Sequence, residues 1–322
     1  MTAMEAAIGA GTFQKIGSVV VAKDGRVVYE HYFAGDAATL RDTRSATKTI
    51  TSMLVGIAIE QGKIPSVDTP VLRYFPNATY QNPDPRKAKI TFQDLMTMSS
   101  VLECDDWNDA SRGNEERMYV LEDWTQFVLD LPIRGWLHNP DATPEKYPRH
   151  FEYCTAGAFL TGQALAHATG MPADEYAQRF LFDPLNIHDA AWVRSPLGLP
   201  QTGGGLRLTS RDLLALAELY RNDGTYHGRR VVSQNWVRES TTARAEADPE
   251  TDTGYGYFWW IGPEAYEASG IYGQSILIYP KDRLVIAINS AWDKPDEKAD
   301  FAALGAFQEA IRRAAMRSAP TP

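Results

Sequence analysis

The stretch RDTRSATKTITSMLVGIAIEQGK, residues 41–63, decides how the rest of the chain is read. Ile50, Leu54, Ile57 and Ala58 recur at helical spacing, and Gly62 is a suitable stop, so a helix is expected from about Ser45 to Gln61. A helix bound for the core has no packing use for a lysine near its entrance, yet Lys48 follows Ser45 by three residues. Residues three apart share a helix face. The serine hydroxyl and the lysine amine can therefore meet there. A serine is a weak nucleophile unless a base lies within hydrogen-bond reach. Burial disfavours an ammonium, so a lysine on a buried face can act as that base. The helix N-terminus adds partial positive charge and unpaired N–H groups, which suit a developing oxyanion.

The S-x-x-K spacing alone is commonplace; by itself Ser45 reads equally well as a helix N-terminal residue and Lys48 as a snorkelling surface lysine. The context adds to it. RHFEYCTAGAFLTGQALAHATG, residues 149–170, puts Tyr153 just ahead of a second helical run, where a phenol can relay a proton between serine, lysine and leaving group.

Around these two segments the periodicity changes twice. GSVVVAK and GRVVYEHYF are β-branched runs joined by Asp24-Gly25, a strong hairpin signal. From about 65 to 230 the chain reads as helices and loops, with a capping box at Thr91/Asp94 and capping candidates at Thr209 and Asp212. After 250, GYGYFWWI, IYGQSILIYP and RLVIAINS read as strands, and KADFAALGAFQEAIRRAAM closes as an amphipathic helix. The expected organisation is an α/β domain built from residues 1–64 and 230–322, with a mainly helical domain over 65–229. The active site is expected between them.

Several function classes are excluded by composition. A formal net charge of −9 with no Lys/Arg run argues against nucleic acid and anionic membranes. No apolar run reaches the roughly 18 residues a bilayer span needs. The six histidines lack zinc spacing, and ECDDWNDASRGNEER, residues 103–117, does not match the alternating oxygen ligands and glycine at fixed spacing of a calcium loop, so no metal or cofactor is expected. That acidic segment reads as a solvated loop. Cys104 and Cys154 read as free thiols, which together with the absence of a leader-like start points to a cytoplasmic protein.

The order of DGRVVYEHYFAG, SATKTITSMLVGIAIEQGKI, TFQDLMTMSS, FEYCTAG, FLFDPLNIHDAAW, TGGGLRLTSRDLLALAELYRNDG, YGYFWWI and SGIYGQSILIYP resembles the serine β-lactamase and penicillin-binding-protein superfamily. The resemblance is specifically to its class C-like branch, which also holds esterases, D-amino-acid-specific peptidases and nylon-oligomer (aminohexanoate-dimer) hydrolases. The resemblance implies a mixed, largely antiparallel sheet flanked by helices, a helical insertion domain, and a cleft between the two. It implies Ser45 as acylated nucleophile, Lys48 as base and Tyr153 as the first residue of a Tyr-x-Asn motif. The backbone N–H groups of Ser45 and Ile271 would form the oxyanion hole. Trp107, Thr155, Ser269 and Gly270 would face substrate. Two departures stand out: Thr155 replaces the asparagine of Tyr-x-Asn, and Ala268 replaces the lysine of Lys-Thr-Gly ahead of Ser269 and Gly270. Loss of that cation weakens binding of a substrate carboxylate by about 1.5–3 kcal/mol. The expectation is therefore a serine hydrolase of small-molecule esters or amides, with weak or absent β-lactam hydrolysis. An acyltransferase and a catalytically silent binding protein are the alternatives.

Overall fold

The computed structural model describes residues 5, 8, 15–134, 150–290 and 297–317. Its frame is an eight-stranded antiparallel sheet. The strands are β1 (Ile16–Lys23), β2 (Arg26–Tyr32), β3 (Ala245–Asp248), β4 (Thr253–Tyr255), β5 (Trp260–Ile261), β6 (Tyr266–Gly270), β7 (Gln274–Tyr279) and β8 (Leu284–Ser290), in spatial order β2-β1-β8-β7-β6-β5-β4-β3. The two ends of the chain therefore meet where β1 pairs with β8. Asp24 and Gly25 link β1 to β2 with φ of 54° and 77°, the left-handed pair a tight hairpin turn requires.

Four long helices are α1 (Ala46–Glu60), α2 (Thr155–Thr169), α3 (Ser210–Arg221) and α4 (Glu297–Arg317). Side chains alternate across the central strands, and the alternation feeds two cores. Val20, Ala22, Ile276, Ile278, Val285 and Ala287 point to the larger core, which α1, α2 and α3 share. Val19, Val21, Leu277, Ile286 and Ile288 point the other way, to Leu304, Phe307 and Ile311 of α4. Although it lies inside the 65–229 stretch, α3 packs on β8, β7 and β1. Its start is the expected capping box of Thr209 and Asp212, and that of Thr91 and Asp94 is also formed.

The central helix is α1, buried at every position from Ala46 to Ala58 rather than along one stripe. Burial all round forces its polar side chains to find partners. Thr49 donates to the Phe258 carbonyl at 2.6 Å, Thr51 donates to that of Thr202 at 2.8 Å, and the Thr47 and Thr43 hydroxyls bond to each other at 2.9 Å. These bonds fix the helix against the 202–206 and 258 segments.

One expectation is overturned. Cys104 and Cys154 are not free thiols but a disulfide, with Cα atoms 5.4 Å apart. Their sequence separation of 50 hides the pairing from sequence spacing; the fold brings the acidic segment against the start of α2. The cysteine argument for a cytoplasmic location lapses with the correction. Among the described residues no helix is long and apolar enough to cross a membrane.

Closing a loop of that size constrains the unfolded chain, by about 2–4 kcal/mol for a typical disulfide. Replacing both cysteines (Cys104→Ser with Cys154→Ser) should lower unfolding free energy by that order in denaturant titration. A second expectation concerns Glu267 on β6. The Gln308 amide donates to its Oε1 at 3.1 Å and to the Ser275 hydroxyl at 2.9 Å. Burial pushes the Glu267 carboxyl up to about 7, against the opposing hydrogen bonds. A raised folded-state pKa means stability is full below about 4.5 and is lost as pH rises through 7. Glu267→Gln should therefore raise the melting temperature at pH 8 and change it little at pH 4.

Candidate active site

The chain turns sharply into α1. Arg44 sits in the left-handed region at φ 48°, held by its N–H to Asp42 Oδ1 at 2.8 Å. Such a conformation costs a non-glycine residue on the order of 1 kcal/mol. Ser45 follows as the helix N-cap, yet its side chain makes no capping bond. Instead the Ser45 hydroxyl oxygen accepts from Lys48 Nζ at 2.9 Å. Lys48 is 1% exposed, and its amine also donates to the Gly203 carbonyl at 2.6 Å. The Tyr153 ring centroid lies 4.8 Å from the same nitrogen. The fold thus brings Ser45, Lys48 and Tyr153 together from segments more than 100 residues apart.

Gly203 is the first of the three glycines at 203–205, and its place is tight. A Cβ there would meet Thr155 Cγ2 at 2.8 Å and the Thr155 carbonyl at 2.9 Å. Thr155 is fully buried behind this carbonyl, so it shapes the lysine's partner from within the wall. Gly270 is constrained in the same way on the other side. A Cβ at Gly270 would lie 2.5 Å from the Thr43 carbonyl and 2.9 Å from Arg44 Cβ. Glycine therefore lets the end of β6 press against the turn that carries the serine. Ile271 follows immediately, with Ser269 partly buried one residue before Gly270 on the same strand. Neither the Ser45 nor the Ile271 amide takes part in a backbone bond of a described turn, loop or cap. Ala268 is fully buried, so no cation stands at that strand position.

Trp107 is 60% exposed at the tip of the acidic segment. Its ring is nearly parallel to Tyr153, with 4° between planes at 5.6 Å, and Trp260 stacks on Tyr153 at 5.9 Å. The aromatic YGYFWWI run thereby reaches the catalytic tyrosine candidate.

Sequence reasoning missed Asp106. Read as part of a solvated loop, it is turned inward. Its carboxylate accepts from the Thr155 N–H at 2.6 Å and the Glu115 N–H at 2.9 Å, and its own N–H donates to the Tyr153 carbonyl at 2.9 Å. Burial and then the Glu115 charge push its carboxyl up to about 6, while Lys48 pulls it down. The run of acids offers no signal for which one is internal; only its place beside Cys104 and opposite Cys154 could have pointed there. Among the described residues no group of His, Cys, Asp and Glu is placed to hold a metal ion.

Comparison with known proteins extends this picture. The 6-aminohexanoate-dimer hydrolase of Paenarthrobacter ureafaciens is 27% identical over 308 residues, covering 87% of this chain and 73% of that one. A solved structure from Bacillus anthracis, provisionally described as a 6-aminohexanoate-dimer hydrolase, superposes with a TM-score of 0.80 at 19% identity. It covers 98% of this chain, which in turn covers 83% of it. EstCE1, a hydrolase with promiscuous acyltransferase activity, superposes with a TM-score of 0.74 at 16% identity, covering 95% and 96%. At such identities the structural likenesses speak for the fold, which is that of β-lactamases and transpeptidases. The Beta-lactamase family model matches residues 11–310, so the serine turn, the tyrosine segment and the β6 edge all lie within one match. The chain belongs to the beta-lactamase family.

Proposed function

We propose that the chain is a serine hydrolase that cleaves small carboxylic esters, and short amides second, through an acyl-enzyme on Ser45. The observation that carries this reading is the 2.9 Å contact between Ser45 Oγ and the amine of a lysine that is 1% exposed. Buried lysines need a reason, because an unpaired ammonium in the core costs several kcal/mol. In this reading the amine, in its neutral form, takes the serine proton as Ser45 Oγ attacks the substrate carbonyl carbon. The oxyanion lies against the Ser45 N–H at the start of α1 and the Ile271 N–H just past β6. Tyr153 passes the proton on to the leaving group, and water then clears the acyl group. No cofactor has a step in this sequence.

Ala268 in place of a cation favours neutral substrates over carboxylate-bearing β-lactams. The relative named as a 6-aminohexanoate-dimer hydrolase supports hydrolysis as the chemistry. Acyl transfer to an alcohol or amine is the same mechanism with a different second acceptor, and the likeness to EstCE1 keeps it in view. Product analysis with competing methanol separates the two outcomes.

Intact mass after a fluorophosphonate probe should show one adduct per chain, and short p-nitrophenyl esters should turn over. Both should vanish in Ser45→Ala. Folded protein that neither labels nor hydrolyses would leave a binding role in place of the enzyme. Lys48→Ala should lower kcat about 100-fold or more, the range of a lost general base. Gly270→Ala should lower kcat about 100-fold with KM less affected, because the added methyl forces β6 away from the Thr43–Arg44 turn and displaces the Ile271 amide.

A further inference from the structure

Behind the serine and the lysine runs a closed circuit of contacts that the proposed acyl-transfer steps do not use. Lys48 Nζ donates to the Gly203 carbonyl at 2.6 Å, and the Gly203 N–H donates to Gln201 Oε1 at 2.7 Å. Gln201 Nε2 donates to the Tyr119 hydroxyl at 3.2 Å, and that hydroxyl donates to Glu115 Oε2 at 2.6 Å. The Glu115 N–H donates to Asp106 Oδ1 at 2.9 Å, and Asp106 Oδ2 accepts from Thr155 at 2.6 Å. The Asp106 N–H then donates to the Tyr153 carbonyl at 2.9 Å. The Tyr153 ring returns the path to Lys48.

Two features separate this circuit from ordinary core filling. It grips the backbone of Tyr153 and Thr155 on either side of Cys154, the residue the disulfide also holds. It also includes a carboxylate on which the Lys48 charge acts, favouring its ionised form. We infer that Asp106 and Tyr119 are positioning residues for the acyl transfer proposed above: through this circuit they hold the Gly203 carbonyl and Tyr153 in register on Lys48, and Asp106 balances the positive charge Lys48 gains.

That balance follows the electrons of the acylation step. The proton leaves Ser45 Oγ for Lys48 Nζ, the Ser45 oxygen bonds the carbonyl carbon, and the carbonyl π pair becomes the oxyanion. The site holds a new ammonium and a new oxyanion at that moment, until the oxyanion pair re-forms the carbonyl, the bond from carbon to the leaving group breaks, and the leaving group takes a proton from Tyr153 that Lys48 replaces. A fixed carboxylate near the ammonium lowers the free energy of that state without reorganising. The charged or titratable groups facing Asp106 are Lys48 from α1 and Glu115 and Tyr119 from the 115–119 helix, while Tyr153 meets it through its backbone carbonyl. Burial pushes the Tyr119 hydroxyl well above its ordinary pKa, so it remains a proton donor at working pH. Asp106, pushed up to about 6, loses its charge below that pH and the balance with it.

The inference rests on the serine-hydrolase reading, and the experiment separates the two. Wild type, Ser45→Ala, Asp106→Asn and Tyr119→Phe are compared for kcat and KM on a p-nitrophenyl ester from pH 5 to 9, with melting temperatures. Asp106→Asn keeps the shape while removing the charge and one of the two acceptors that meet the Glu115 and Thr155 N–H groups, and Tyr119→Phe removes one hydroxyl that touches no reacting atom. Both should lose about 10–100-fold in kcat, the scale of a reacting group misplaced by about 1 Å, with little change in KM. The deficit of Asp106→Asn should be greatest at pH 8 and narrow below pH 6, where wild-type Asp106 is itself neutral; that of Tyr119→Phe should not narrow. Wild-type kcat and pH profile in folded Tyr119→Phe and Asp106→Asn would overturn the inference while leaving Ser45-dependent turnover intact. A uniform loss in Asp106→Asn at every pH, matched only by a lower melting temperature, would also overturn it. Should Asp106→Asn not fold, the kcat of Tyr119→Phe decides. Absence of turnover in wild type would remove the hydrolase reading and this inference together.

Discussion

Lys48 is a buried amine, and burying an amine constrains everything around it. Its nitrogen must be met by acceptors, because an unsatisfied ammonium or amine in the core is among the most costly defects a fold can carry. Two acceptors are supplied, Ser45 Oγ from one turn earlier and the Gly203 carbonyl from 155 residues later. The second ties the 201–206 segment to α1, and the threonine hydroxyls of α1 extend the tie to Thr202 and Phe258. A helix that is polar where it should be greasy is therefore the hub on which distant segments register. The same contacts leave the serine hydroxyl uncommitted to capping and aligned on nitrogen.

Around that hub the molecule uses close backbone approach instead of bulky packing. Gly203 and Gly270 sit where a methyl group would collide with Thr155 on one side and with Thr43 and Arg44 on the other. The glycine at 270 sets the distance between the serine turn and the Ile271 amide, and the glycine at 203 sets the position of the lysine's carbonyl. The disulfide and Asp106 perform a comparable service for Tyr153, one covalently and one through paired hydrogen bonds across the same short segment. Rigid support of this kind is what preorganised acyl-transfer chemistry requires, since the donors must already be in place when charge develops.

The sheet explains why so much of the chain is needed to build so small a site. Its centre is made by pairing β1 from one end of the chain with β8 from the other, and both faces of that centre are covered, by α1 and α3 on one side and α4 on the other. With both faces dry, β6 is held as an interior strand whose end projects to the serine turn. Glu267 on that strand is stabilised only while protonated or well bonded, so the edge of the site and the docking of α4 share one titratable group.

Local signals in the sequence determined what local physics determines. The helix at 46–60, the Asp24-Gly25 hairpin, the two capping boxes and the strands at 274–279 and 284–290 each follow from spacing, turn chemistry or capping that a few neighbouring residues settle among themselves, whereas GYGYFWWI, read as one strand, is broken over 256–259 where Phe258 takes φ 59° and its N–H pairs with the remote Met96 carbonyl. The order of eight motifs identified the family, whose model spans 11–310. Tertiary structure alone decided the rest. That Cys104 meets Cys154 and that Asp106 among many acids turns inward depend on which surfaces the loop is pressed against. No period or spacing encodes this, because desolvation and hydrogen bonding to remote backbone are properties of the packed chain. The same holds for α1: its stripe announced a helix, but burial on all sides, and hence the need to satisfy every threonine and the lysine, arises only when the strands from both ends close around it.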